Sequence, residues 1–150
     1  NDQFIADSGY GQGKFDNPLT IASIYSSFVN EGSNLSTHIV QGKTKTWIKN
    51  VFSKETSQTI KEDLINVIAA KGTGHSIIMI MWLLWKTGTA EIKQSQSDTT
   101  GTELGWFAVM TTDSKQPLLI TTLVEDVKDR GGSGYVVEHT KTPLDLYLSK

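Results

Sequence analysis

The sequence predicts an α+β fold, an antiparallel sheet flanked by helices. Three observations carry that prediction. Apolar residues recur at helical spacing in two stretches, 19–29 and 60–68. Three strand-like segments follow, near 77–90, 103–112 and 118–126, joined by connections short enough to argue for antiparallel pairing. A last apolar set, Leu144, Tyr147 and Leu148, follows a Thr-Pro pair. The order is helix, small hairpin, helix, three strands, helix, which sets helices on both sides of one sheet. No repeat or linker divides the 150 residues, enough for one modest domain or a large piece of a bigger one.

The first helix follows a glycine-rich loop, Asp7-Ser8-Gly9-Tyr10-Gly11-Gln12-Gly13. Asn17 can cap it and Pro18 suits its first position. Leu19, Ile21, Ala22, Ile24, Tyr25, Phe28 and Val29 give it a broad apolar face, and Gly32 stands where a helix end favours a left-handed residue. Two short strands are expected near 37–41 and 44–49, turning at Gly42-Lys43. Ser53 caps the second helix, Ile60, Leu64, Val67 and Ile68 form its buried face, and Gly72 closes it. Among the strands, 113–117 is a turn, while 93–101 and 130–134 are loops. The last helix is expected to begin with Thr142 as cap and Pro143 in its first turn.

Composition excludes several classes. A net charge of −2 without any run of Lys or Arg leaves no footprint for nucleic acid. The absence of cysteine excludes a disulfide scaffold, a thiolate zinc site and a cysteine nucleophile. His38, His75 and His139 are too scattered to indicate a metal, so no metal or cofactor is expected. No signal peptide is visible at the N-terminus. The longest apolar run, 77–85, is nine residues, short of the ~20 that cross a bilayer, and reads as a strand buried on both faces. Gly9-x-Gly11-x-Gly13 has the wrong spacing for a dinucleotide loop and reads as a turn before a helix. Glu91, Glu103, Glu125 and Asp126 read as solvated carboxylates at strand ends. The four tryptophans, Trp47, Trp82, Trp85 and Trp106, read as core, with Trp106 close to the site described next.

The chemistry lies in Lys86-Thr87-Gly88-Thr89-Ala90-Glu91. On a strand, Lys86 and Gly88 share one face while Thr87 and Thr89 share the other, so a twist or bulge is needed to bring them to one cleft. Gly88 lets a ligand backbone lie close to the strand. A cation, two hydroxyls and a strand amide suit a carboxylate beside a carbonyl.

Lys-Thr-Gly is one of three elements of the serine β-lactamase and penicillin-binding protein signature, with Ser-x-x-Lys and Ser-x-Asn. Other pieces stand in family order around it: Ala6-Asp7-Ser8-Gly9-Tyr10-Gly11-Gln12-Gly13, Asn17-Pro18, Asn30-Glu31-Gly32, Gly72-Thr73-Gly74, Gly105-Trp106-Phe107 and Val124-Glu125-Asp126-Val127. Along most of its length the chain resembles the low-affinity class B penicillin-binding proteins of Gram-positive bacteria. The resemblance implies a partial penicillin-binding transpeptidase fold. It implies a D,D-transpeptidase that cross-links peptidoglycan stem peptides, is acylated by β-lactams and belongs to a membrane-anchored parent acting on the extracellular face of the cytoplasmic membrane. It makes Lys86, Thr87, Gly88 and Thr89 catalytic: Lys86 places charge near the substrate carboxylate, Thr87 and Thr89 hydrogen-bond it, and the Thr89 amide is half of an oxyanion hole. Lys86, Thr87, Thr89, Ala90, Glu91 and Trp106 are the implied substrate-binding set.

Two departures from the family pattern stand out. Neither Ser-x-x-Lys nor Ser-x-Asn occurs in the chain. The expectation is that residues 1–150 are the C-terminal portion of one transpeptidase domain, inactive alone, whose partner is the N-terminal half carrying the nucleophile. The second departure is 77–85, bulky and apolar where the family has a polar approach and a small residue before the lysine, which predicts that Trp85 crowds the cleft. The other functional classes are a non-catalytic penicillin-sensing or pseudoenzyme binding domain and a class D-like β-lactamase.

Overall fold

The computed structural model describes Ile5, residues 16–66, residues 83–93, Ser95 and residues 97–149. Helix α1 (Pro18–Val29) opens as its sequence dictates. Asn17 accepts from the Thr20 amide at 3.0 Å, and Pro18 sits in the first turn, where its missing N–H leaves no donor unpaired. At the other end the Gly32 amide donates to the Ser27 carbonyl at 2.8 Å, the six-to-one bond of a Schellman motif. Glu31 takes the left-handed position (φ 51°) and Gly32 follows at φ 84°. A side chain at Gly32 would meet the Phe52 carbonyl oxygen at 2.1 Å, so the close passage of 50–52 demands glycine.

The hairpin expectation needs correction. Strand β1 is Asn34–Leu35 and β2 is Thr46–Ile48, whereas residues 39–41 are exposed bends. The tether lies at the hairpin base: Ser23 Oγ donates to the Leu35 carbonyl at 2.6 Å, and the Leu35 amide donates to Ser26 Oγ at 3.3 Å. Small hydroxyl residues on α1 let the strand approach, and nothing comparable holds Ile39 and Val40. Helix α2 (Lys54–Asn66) is capped by Ser53, whose hydroxyl accepts from the Thr56 amide at 3.1 Å. Val67, Ile68, Gly72, the loop 7–13 and the run 77–82 lie outside the described residues.

Strands β3 (Leu83–Ile92), β4 (Thr102–Thr111) and β5 (Leu119–Val124) form an antiparallel sheet in that order. The turn before β5 is built by Asp113, which accepts from the Lys115 amide at 2.8 Å through its side chain. Helix α3 spans Ser133–Leu148, so the last helix begins nine residues before Thr142, and Pro143 lies in its interior. The reason is tertiary. Val136, Val137, Thr140 and Leu144 fall on one stripe, and all are buried against the sheet. Pro143 removes one helical hydrogen bond, but Pro143 and His139 are both exposed, so water reaches the orphaned His139 carbonyl. Thr140 Oγ1 donates to the Val136 carbonyl and also lies 2.8 Å from Thr122 Oγ1, pinning α3 to β5.

Each sheet face has its own core. Odd-numbered Leu83, Trp85, Phe107 and Val109 pack with Val127, Val136, Val137 and Leu144 beneath α3. Even-numbered Leu84 and Met110 pack with Leu64, Ile60, Tyr25 and Phe28 of α2 and α1, where burial raises the Tyr25 phenol pKa. Each fully buried large side chain here contributes roughly 1.5–3 kcal/mol. Helices therefore flank both faces of an antiparallel sheet, as expected. Among the described residues no helix is long and apolar enough to cross a membrane.

Trp85 is fully buried on the α3 face, with its ring 5.6 Å from that of Phe107. Its Nε1 has no hydrogen-bond partner among the described residues. It therefore points away from Lys86, which corrects the expectation that it crowds a cleft there. Because Trp85→Phe removes that unpaired donor along with some volume, it should cost under about 1 kcal/mol, whereas Trp85→Ala should cost about 3–5 kcal/mol. Gly105 lets α3 lie close: a Cβ there would stand 2.5 Å from Val136 Cγ2. Gly105→Ala should destabilise by about 1–3 kcal/mol, and denaturant unfolding of the variants checks both expectations.

Candidate functional site

The geometry of the Lys-Thr-Gly segment follows from one ladder. The Thr111 amide donates to the Leu118 carbonyl at 2.9 Å, and the Val127 amide donates to the Glu103 carbonyl at 3.0 Å. Odd-numbered residues of β4 thus turn their backbone groups toward the β5 side, and even-numbered residues turn theirs toward β3. The β3–β4 register runs unbroken from Leu83↔Thr111 to Ile92↔Thr102. Lys86, Gly88 and Ala90 therefore bond to β4, while the amides and carbonyls of Thr87 and Thr89 point to the outer edge of β3. Among the described residues no strand pairs with that edge.

Of the twist or bulge expected to join the two faces, the β3–β4 register carries no bulge, and the edge itself is where the faces meet. Lys86, on the even face with its side chain exposed, bends round so that Nζ donates to the Thr87 carbonyl. The ammonium thus stands at the same strand edge as the outward Thr87 and Thr89 groups. The local chemistry is a cation beside a strand edge to which the Thr87 and Thr89 backbone groups turn, suited to an extended ligand carrying a carboxylate.

Gly88 sits on the even face opposite Trp106. A Cβ there would touch only Trp106 Cβ, at an ordinary 3.7 Å, so the fold itself does not require glycine at this position. What its absence provides is a flat approach to the strand, with the half-buried Trp106 behind it. Ala90 shares that face, while Thr87, Thr89 and Glu91 share the other. Glu91 is bound to Lys93 at 2.7 Å and lies directly across from Glu103, so a lysine offsets two like charges at the far end of the strand. Among the described residues no cluster of His, Asp and Glu could hold a metal.

One neighbour was not foreseen. Gly132, at the start of α3, lies so close to Thr89 that a side chain on it would reach Thr89 Oγ1 at 3.4 Å. The cue was the Val136, Val137, Thr140 and Leu144 spacing, which places the helix well before Thr142; it starts at Ser133 with Gly132 as its N-cap, beside the strand.

Comparison with known proteins decides the family. Residues 1–142 match the model of the penicillin binding protein transpeptidase domain. The chain belongs to this family. It is 37% identical over 147 residues to penicillin-binding protein 3 of Bacillus subtilis (strain 168), covering 94% of this chain but only 22% of that protein. Among solved structures, penicillin-binding protein 2B of Streptococcus pneumoniae (strain R6) has a TM-score of 0.63 at 15% identity, covering 89% of this chain and 25% of that one. The apo transpeptidase domain of Burkholderia pseudomallei penicillin-binding protein 3 has a TM-score of 0.57 at 19% identity, covering 78% and 36%. These two show that the fold is shared. The chain thus spans about a quarter to a third of its solved relatives and about a fifth of the curated one.

Because neither side chain packs in a core, Lys86→Ala and Gly88→Ala should each change unfolding free energy by no more than about 0.5 kcal/mol. Thermal melts of these variants beside Gly105→Ala separate a glycine that the fold needs from one that it does not.

Proposed function

We propose that the chain is the C-terminal portion of a peptidoglycan D,D-transpeptidase domain and that its β3 edge binds the peptide that is to be cross-linked. The observation that carries this reading is the outward direction of the Thr87 and Thr89 backbone groups, with the Lys86 ammonium drawn to the same edge. A stem peptide laid antiparallel along β3 adds a strand to the sheet, so main-chain hydrogen bonds align it without side-chain specificity. Gly88 allows that close approach. The Lys86 charge and the Thr87 and Thr89 hydroxyls take the terminal carboxylate, and Ala90, Glu91 and Trp106 border the bound peptide.

In this reading the remainder of the domain supplies the serine and lysine of Ser-x-x-Lys and the residues of Ser-x-Asn. The serine hydroxyl attacks the penultimate D-Ala carbonyl as the neighbouring lysine accepts its proton. The carbonyl oxygen becomes an anion, toward which the outward Thr89 amide donates. Collapse of the tetrahedral intermediate breaks the peptide bond, and terminal D-Ala leaves with a proton on its amine. The amine of a second stem peptide then attacks the acyl-enzyme and regenerates the serine. A β-lactam enters by the same first step, but its ring opens without releasing a leaving group, so the acyl-enzyme persists. The parent protein acts on the extracellular face of the cytoplasmic membrane, where this polymer lies.

Intact mass of the full-length protein with benzylpenicillin tests the reading. A stable gain of one drug mass on a serine outside residues 1–150 is expected. Lys86→Ala should slow acylation by about 100-fold or more while leaving stability unchanged, since it removes a charge that acts on the bound carboxylate. No adduct at high drug concentration would move the assignment to a non-catalytic binding domain.

A further inference from the structure

The segment between α1 and α2 plays no part in the β3 edge, and its surface is unusual. Residues 33–53 hold Lys43, Lys45 and Lys49 and no Asp or Glu, in a chain with 16 acidic and 14 basic residues. Among the described residues none of these three lysines makes an ion pair. Lys54, just beyond, is committed to Glu31 at 2.7 Å, a hydrogen bond that raises its pKa. Lys45 and Lys49 flank the short strand β2, each two residues from Trp47, and all three are exposed.

Trp47 is 66% exposed, and among the described residues no ring or guanidinium stacks on it. A strand tryptophan ordinarily buries its large apolar surface, so a bare indole between two unpaired cations is a platform in search of a ligand. The indole face is electron-rich and attracts the polarised axial C–H bonds of a sugar ring. Cations on either side fit an extended ligand carrying carboxylates at intervals. Nucleic acid is disfavoured by the overall acidic balance of the chain.

We infer that the exposed segment Lys45 to Lys49, β2 and its two flanking lysines, is an accessory docking site for the glycan strand of peptidoglycan, with the indole under a sugar ring and the lysines on stem-peptide carboxylates. The inference rests on the transpeptidase reading and deepens it: a polymer held here is retained between encounters of its peptides with the β3 edge.

The test is co-sedimentation of the full-length protein with Gram-positive sacculi stripped of teichoic acid, beside intact sacculi and anionic phosphatidylglycerol vesicles. Binding to stripped sacculi is expected, falling about tenfold in Trp47→Ala and in the Lys45→Gln/Lys49→Gln double variant, and largely kept in Trp47→Phe. Benzylpenicillin acylation of Trp47→Ala should match the parent, because a small drug needs no glycan contact. Wild-type-like sedimentation of Trp47→Ala overturns the inference. So does binding lost on removal of teichoic acid, which identifies a phosphate polymer, and so does binding to vesicles alone, which identifies a lipid surface. Failure of acylation in the unsubstituted protein instead strikes the transpeptidase reading, and glycan docking is judged separately by sedimentation.

Discussion

The site depends on the ten-pair antiparallel ladder between β3 and β4. Side-chain direction has a period of two, and so does backbone direction. A single choice of register therefore decides both which residues face the cores and which peptide groups face outward. Here that choice sends Trp85 under α3, Lys86 and Gly88 to the opposite face, and the Thr87 and Thr89 backbone to the outer edge. A slip by one residue would exchange all of these at once, moving Trp85 to the α1/α2 face and turning the Thr87 and Thr89 amides inward.

Two cores hold the register. The α3 face is the larger, and its clamp is tight because Gly105 lets the helix approach the sheet while Thr140 ties it to β5. On the other face α1 and α2 close over Leu84 and Met110, and Thr121 Oγ1 donates to the Pro18 carbonyl at 2.9 Å, joining β5 to the start of α1. Packing on both faces leaves the outer edge of β3 without a paired strand among the described residues. An edge strand is ordinarily a hazard for aggregation, and a binding protein can use outward backbone groups for recognition.

Much of this was legible in the residues because the local rules and the tertiary demands agree. Asn17-Pro18, Ser53 and the turn at Asp113 act through short-range hydrogen bonds, so their sequence cues hold. Pattern and packing disagree elsewhere. Thr142-Pro143 carries the marks of a helix start, yet the stripe from Val136 to Leu144 buries enough apolar surface to continue the helix through the proline. Ile39 and Val40 have the composition of a strand, but no surface receives them, and the strand forms at Asn34–Leu35, where Ser23 and Ser26 anchor it. For the candidate site, motif and parity were readable in Lys86 to Thr89. The outward edge was not, because it is set by Thr111 and Val127, residues on other elements.

The central claim is that a bound acyl group meets β3 along its outer edge. A crystal structure of the full-length protein acylated by benzylpenicillin tests it most directly. The drug is expected to lie antiparallel to β3, with its ester carbonyl oxygen about 2.7–3.1 Å from the Thr89 amide nitrogen and its carboxylate beside Thr87, Thr89 and Lys86. A drug bound with its carbonyl away from Thr89, or with another protein segment paired along that edge, would contradict it.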